Sequence, residues 1–191
     1  MRSSANTPGP RSSGRVRLAL WIVGEDHPKA CTGRRLVARG RVAGLASRSS
    51  APRGSILLDP HADVPLSPAD RDAAFAGGIA AVDCSWRRLG ARGGYPRGPW
   101  DDVPRGRRRR LPLLIAGNAH HYGRLGELNT VEALAAALWV VGEPAAAEAL
   151  LAGFPGGGTF LDVNQDRFRA YGAADGPERV RDAERALFAP G

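Results

Sequence analysis

The sequence predicts an α/β fold, with a mainly parallel sheet in the N-terminal half and a helical C-terminal half. Three observations predict it. The runs 16–23 (VRLALWIV), 55–58 (SILL) and 78–84 (GIAAVDC) are apolar without strict alternation, the pattern of strands covered on both faces. A helix start separates the second and third runs, because Ser67-Pro68-Ala69-Asp70 reads as an N-cap with proline at the first helical position. From Thr130 onward the apolar spacing becomes helical, with Val131, Leu134, Leu138 and Val141 on one face.

Taken in order, residues 1–15 are rich in Ser, Pro, Gly and Arg with no apolar run, and read as a disordered basic tail. They lack the apolar segment of a secretory signal. Strand 16–23 follows, then a polar turn over 26–33 and a helix or extended arm over 33–41. Strand 55–58 leads through a loop, 59–66, to a helix over 68–76 and the strand 78–84. Residues 90–110 are rich in Gly, Pro and Arg and read as a mobile connection. A fourth apolar segment, 111–117, precedes a loop and a helix over 130–141, whose start carries Asn129 and Glu132 as a capping pair. Further helices are expected over 144–152, 159–171 and 177–188. The expected division is an α/β N-terminal domain, 16–110, and a mostly helical C-terminal domain, 111–191.

Composition narrows the function classes. The 191 residues include 27 Lys and Arg against 19 Asp and Glu, for a net charge of +8. Lys29 is the sole lysine, so 27 − 1 = 26 of these cations are arginine, whose planar fork suits phosphate. A pI near 10.8 is the footprint of a nucleic-acid partner or of a merely basic, solvated surface. No apolar stretch approaches the roughly 20 residues that a membrane span needs. Two cysteines, Cys31 and Cys84, make neither a disulfide framework nor a four-cysteine zinc site, and fit a cytoplasmic location. There is no P-loop, GxGxxG, GxSxG or HExxH, which removes support for ATPase, Rossmann dehydrogenase and serine hydrolase readings.

Four features carry candidate chemistry. The turn 26–33 (DHPKACTG) presents backbone N–H groups and the Thr32 hydroxyl, or is simply a helix-entry turn. Asp83-Cys84-Ser85-Trp86 ends a buried strand, where an acid and an indole serve as proton acceptor and packing face, or as a strand-end cap and core tryptophan. Thr130 opens a helix whose N-terminus attracts an anion such as a carboxylate. The run Arg107, Arg108, Arg109 and Arg110, with Arg87, Arg88, Arg92, Arg97 and Arg105 upstream, can neutralise RNA phosphates, and the interleaved Tyr95 and Trp100 can stack on bases. Asp59, His61 and Asp63, and separately His120-His121, lack the spacing of a metal site.

These blocks together, HPKACTGRRL (27–36), LSPAD (66–70), GIAAVDCSW (78–86), LPLLIAGNAHHYG (111–123) and LNTVEALAAALWVVG (128–142), resemble the small-subunit (16S/18S) rRNA aminocarboxypropyltransferase family. The resemblance runs from Arg17 to Tyr171. It implies a SPOUT-like fold with a trefoil knot and S-adenosyl-L-methionine as the group donor. The implied reaction moves a 3-amino-3-carboxypropyl group to N3 of a uridine- or pseudouridine-type base of small-subunit rRNA, during ribosome biogenesis. The implied partner is the pre-ribosomal small subunit, with no membrane and a monomeric enzyme. By position, Thr32 and Thr130 would hold the donor's amino-acid end, Leu58 would line the pocket, Asp83 would stand beside the reacting centre and Trp86 would pack on the donor's side chain. Leu111 and the backbone near Gly126 would bracket adenine. Two positions depart from the family pattern: Ala30, where a lysine is usual, and the 118–123 block (NAHHYG), where an NPVNYG-type sequence is usual. The residues themselves leave open a SPOUT-type methyltransferase and a non-catalytic ribosome-assembly factor.

Overall fold

The computed structural model describes residues 14–23, 31–84, 86, 99–100, 103 and 106–189. The basic tail up to residue 13, most of the 26–33 turn and most of the 90–110 connection, Tyr95 among them, lie outside these residues.

Among the described residues one sheet carries five strands: β1 Leu18–Ile22, β2 Ala43–Leu45, β3 Ile56–Leu58, β4 Ile79–Asp83 and β5 Arg107–Arg109. Their spatial order is β2-β1-β4-β3-β5, and every pairing is parallel. The three apolar runs are therefore the three central strands, which explains why they do not alternate.

Helices that lie wholly among the described residues are α1 Thr32–Ala38, α2 Arg71–Gly77, α3 Thr130–Val140, α4 Pro144–Leu151, α5 Gly157–Val163, α6 Gln165–Gly172 and α7 Pro177–Phe188. A 3-10 turn, Pro68–Asp70, carries the capping box of Ser67 and Asp70 and leads into α2. Helix α3 is apolar nearly all round because it is central: Val131, Leu134, Ala135, Ala136, Ala137, Leu138 and Val140 are all buried. The main apolar cluster runs from Leu18 and Leu20 through Leu134 and Phe160 to Val180, and so draws on both sides of residue 110.

Three expectations are corrected. Residues 107–109 are an edge strand, not part of a mobile connection, because their backbone pairs with β3. The expected 159–171 helix breaks at Asn164, whose buried side chain accepts from Ile115 N at 2.8 Å and donates to Ile115 O and Phe160 O at 2.7 and 2.9 Å. An asparagine that bonds backbone in this way competes with helix continuation. Finally, β2 was not expected at all, since Ala-Gly-Leu carries no strand propensity of its own and is recruited by β1.

Candidate active site

The carboxyl ends of β3 and β4 open onto a cavity of about 430 Å³, a volume within the range of small-molecule sites. Its walls come from Leu58 on β3, Ala81 and Val82 on β4, Trp86, the segment from Leu111 to Leu113, the returning segment from Leu125 to Leu128, and Thr130 with Ala133 on α3. The lining is mostly apolar. Its fixed elements are hydrogen-bonded: the Trp86 indole donates to Leu128 O at 2.8 Å, tying the residues after β4 to the approach to α3. Gly126 sits at φ 78°, a backbone that a side chain would strain, and its N–H donates to Leu114 O at 2.8 Å.

Asp83 ends β4 one hydrogen bond behind this cavity. Its Oδ1 accepts from the Thr130 hydroxyl. Its Oδ2 accepts from the Cys31 thiol at 2.8 Å. Cys31 is itself the N-cap of α1 and accepts from Arg34 N at 3.4 Å. Burial, then the bond to Asp83, pushes the Cys31 thiol up to about 11, so it stays protonated and remains a donor at neutral pH. Gly33 completes the clamp: a Cβ there would stand 2.3 Å from Asp83 Oδ2, so the carboxylate occupies space that only glycine leaves. Because the Thr130 hydrogen is committed to Asp83, the Thr130 oxygen can only accept from a ligand. With a carboxylate behind it, this corner suits a cationic group, such as an ammonium, better than an anion. The capping box takes the N–H groups of Asn129 and Glu132, which leaves, among the described residues, those of Thr130 and Val131 at the start of α3 for an anion.

The comparisons with known proteins agree with one another. Residues 56–188 match the family described as "Ribosome biogenesis protein, C-terminal". A 16S rRNA aminocarboxypropyltransferase of Methanopyrus kandleri is 42% identical over 161 residues, covering 84% of this chain and 92% of its own length. An 18S rRNA aminocarboxypropyltransferase of Schizosaccharomyces pombe is 32% identical over 200 residues, covering 93% of this chain and 65% of its own. The chain belongs to the small-subunit rRNA aminocarboxypropyltransferase family. A solved member, the SAM-dependent rRNA:acp-transferase Tsr3 from Vulcanisaeta distributa, superposes with a TM-score of 0.75 at 33% identity, covering 91% of this chain and 98% of that one.

Within this aminocarboxypropyltransferase, Leu58, Trp86, Leu111, Gly126 and Thr130 all line the cavity. Asp83 and Thr32 do not line it. Asp83 reaches it through Thr130, and Thr32 opens α1 next to Cys31. Three of the side chains expected at RNA make bonds within the fold. Trp100 is fully buried and donates to Leu58 O at 2.8 Å, so it offers no stacking face to a base. Arg109 and Arg110 are tied into the fold: Arg109 Nε bonds both Asp70 oxygens at 3.1 Å, and Arg110 holds Glu184 with two bonds of 2.6 and 2.7 Å. Arg107 and Arg108 are exposed, and Arg108 Nη1 lies 3.7 Å from the buried Asp59.

Sequence reasoning missed two buried residues that shape the site. The Cys31 thiol on Asp83 needed the α1–β4 contact to be known. Glu132 was visible as a cap partner, but its other task was not. Besides Asn129 N at 2.9 Å, it accepts from Gly117 N at 2.9 Å and Asn118 Nδ2 at 2.7 Å, and so fastens the segment that forms one cavity wall. Among the described residues no group of three or more His, Cys, Asp or Glu side chains could hold a metal ion.

Proposed function

We propose that this chain is a transferase that moves the 3-amino-3-carboxypropyl group of S-adenosyl-L-methionine to N3 of a uridine- or pseudouridine-type base in small-subunit rRNA, as a step of ribosome biogenesis. The observation that carries the reading is the corner at the end of β4, where the Thr130 oxygen faces an apolar cavity as an acceptor with the Asp83 carboxylate behind it. A sulfonium donor offers three activated carbons, and the enzyme's task is to choose which one meets the nucleophile. Thr130 Oγ accepts from the donor's ammonium, and the α3 N-terminus takes its carboxylate, which pins the chain that is to be transferred. Leu58 and Trp86 cover the methyl group and withhold it. Leu111, Leu113 and the Gly126 backbone hold the adenine end.

In the step itself the N3–Cγ bond forms and the Cγ–S bond breaks. The sulfur keeps the electron pair as a neutral thioether, and the N3 proton is relayed to Asp83 through the Thr130 hydroxyl, which passes its own hydrogen to the carboxylate as it takes the new one. General-base help of this kind contributes about 10²–10⁴ in rate. Arg107 and Arg108, the exposed members of the arginine run, contact rRNA backbone, while Arg109 and Arg110 contribute through the fold. The same reading includes a monomeric, cytoplasmic enzyme, a trefoil-knotted path and the division at residue 110. Among the described residues, no helix is long and apolar enough to cross a membrane.

The test uses donor labelled separately on the methyl and on the carboxypropyl carbons, with small-subunit rRNA from cells that lack the protein. Carboxypropyl label in a single uridine-type nucleoside is expected. Methyl label in its place would make the chain a methyltransferase, and neither label together with absent donor binding would make it an assembly factor.

A further inference from the structure

We infer that Cys31 is a positioning residue for the transfer step, its thiol holding the Asp83 carboxylate in register with Thr130. The inference deepens the functional reading above and rests on it for the identity of the reaction. Four observations converge on it. The thiol donates to Asp83 Oδ2 at 2.8 Å while Thr130 donates to Oδ1, so each oxygen has one fixed donor and the carboxylate cannot rotate without losing both. Cys31 is 3% exposed, so water does not compete for the bond. Gly33, two residues on, leaves its Cβ space to the same oxygen. Lastly, cysteine is a poor choice for capping a helix, and its sulfur stands 2.8 Å from Asp83 Oδ2 but 3.4 Å from Arg34 N, so the bond it donates is the closer of the two. A poor cap residue held this close to a carboxylate is explained by what it donates to.

Sulfur suits the task in a second way. Oxygen donors bond a carboxylate strongly, and Thr130 already supplies one. The thiol is a weak donor that orients the second oxygen while leaving the carboxylate's remaining lone pairs basic. Burial keeps the thiol neutral, so no second negative charge is set against Asp83.

The experiment compares the full chain with Cys31→Ala and Cys31→Ser. Turnover is measured by carboxypropyl label transfer, and donor affinity by calorimetry. The Asp83 carboxyl resonance is read in protein labelled with 13C-aspartate and assigned through Asp83→Asn. Cys31→Ala is expected to lower kcat roughly tenfold, the loss of one hydrogen bond to a charged group, with the donor Kd within about twofold of the parent. Its Asp83 resonance shifts. Cys31→Ser is expected to recover most of the rate and to return the resonance toward its original place. An unmoved Asp83 resonance in Cys31→Ala, or a kcat equal to the parent's, overturns the inference. So does a Cys31→Ala loss confined to melting temperature and donor affinity. The resonance requires no activity. A parent protein that transfers no label would therefore sink the functional reading while the Cys31–Asp83 contact is still decided.

Discussion

Two apolar segments supply walls of the cavity, and they are held in opposite ways. Strand β4 lies between β1 and β3, and its backbone groups pair with backbone on both sides. The segment 111–117 has nearly the same composition, but it joins no strand of the sheet. One of its edges meets the returning segment 124–126 through the single bridge of Ile115 to Leu125. The other is satisfied by side chains: Leu113 N donates to Glu184, Ile115 N to Asn164 and Gly117 N to Glu132. Apolar content decides that a segment is buried, whereas the partners of its N–H groups decide whether it becomes a strand. β4 owes its place to a cooperative ladder, and 111–117 owes its place to three separate residues on α3, the α5–α6 junction and α7.

The contrast predicts that single substitutions break the second segment and leave the first standing. The largest expected effect on stability is from Glu132→Ala, which leaves the buried Gly117 N–H, the Asn118 amide and the Asn129 N–H without their acceptor. Its cost is on the order of 4 kcal/mol in urea unfolding. A loss below about 1 kcal/mol would mean that the loop re-forms without it. Asp83→Ala, on the ladder side, is expected to cost on the order of 10²–10³ in kcat with a much smaller change in donor affinity. Equal losses in both would assign Asp83 to attracting the cation rather than to taking the proton.

Arg110→Ala comes next, at about 2–4 kcal/mol, because it strands the largely buried Glu184 carboxylate. The double variant with Glu184→Gln should cost clearly less than the sum of the two. Arg107→Ala strands no acid among the described residues, and should leave stability within about 0.5 kcal/mol while reducing the salt dependence of rRNA binding. The smallest effect is with pH. The folded thiol of Cys31 lies near 11 against an ordinary value of 9.0, so its contribution is complete below pH 9 and fades as pH rises through 11. Melting temperature should fall over that interval in the parent and stay flatter in Cys31→Ser.

Much of this was legible in the sequence, for physical reasons that particular residues make plain. The central strands announce themselves because burial on both faces demands continuous apolar runs, and Ser67 and Asn129 mark helix starts because orphan N–H groups need acceptors. Leu58, Trp86, Leu111, Gly126 and Thr130 were found through family blocks, and the structure gathers them around one cavity. What was not legible depended on long-range partners. An arginine run has the same sequence whether its guanidinium groups meet phosphate or, as for Arg109 and Arg110, Asp70 and Glu184. Trp100 reads as an exposed neighbour of arginines until Leu58 O is found to accept its indole N–H.

The side-chain fastening of 111–117 gives the molecule three built-in reporters. In deuterium exchange the amides of Leu113, Ile115 and Gly117 would each exchange at the rate set by release of a different carboxylate or amide, from α7, from the α5–α6 junction and from α3. Three neighbouring amides should therefore show three distinct lifetimes, and a bound donor should slow the Gly117 amide most, since Glu132 sits two residues from Thr130 on the helix proposed to hold it.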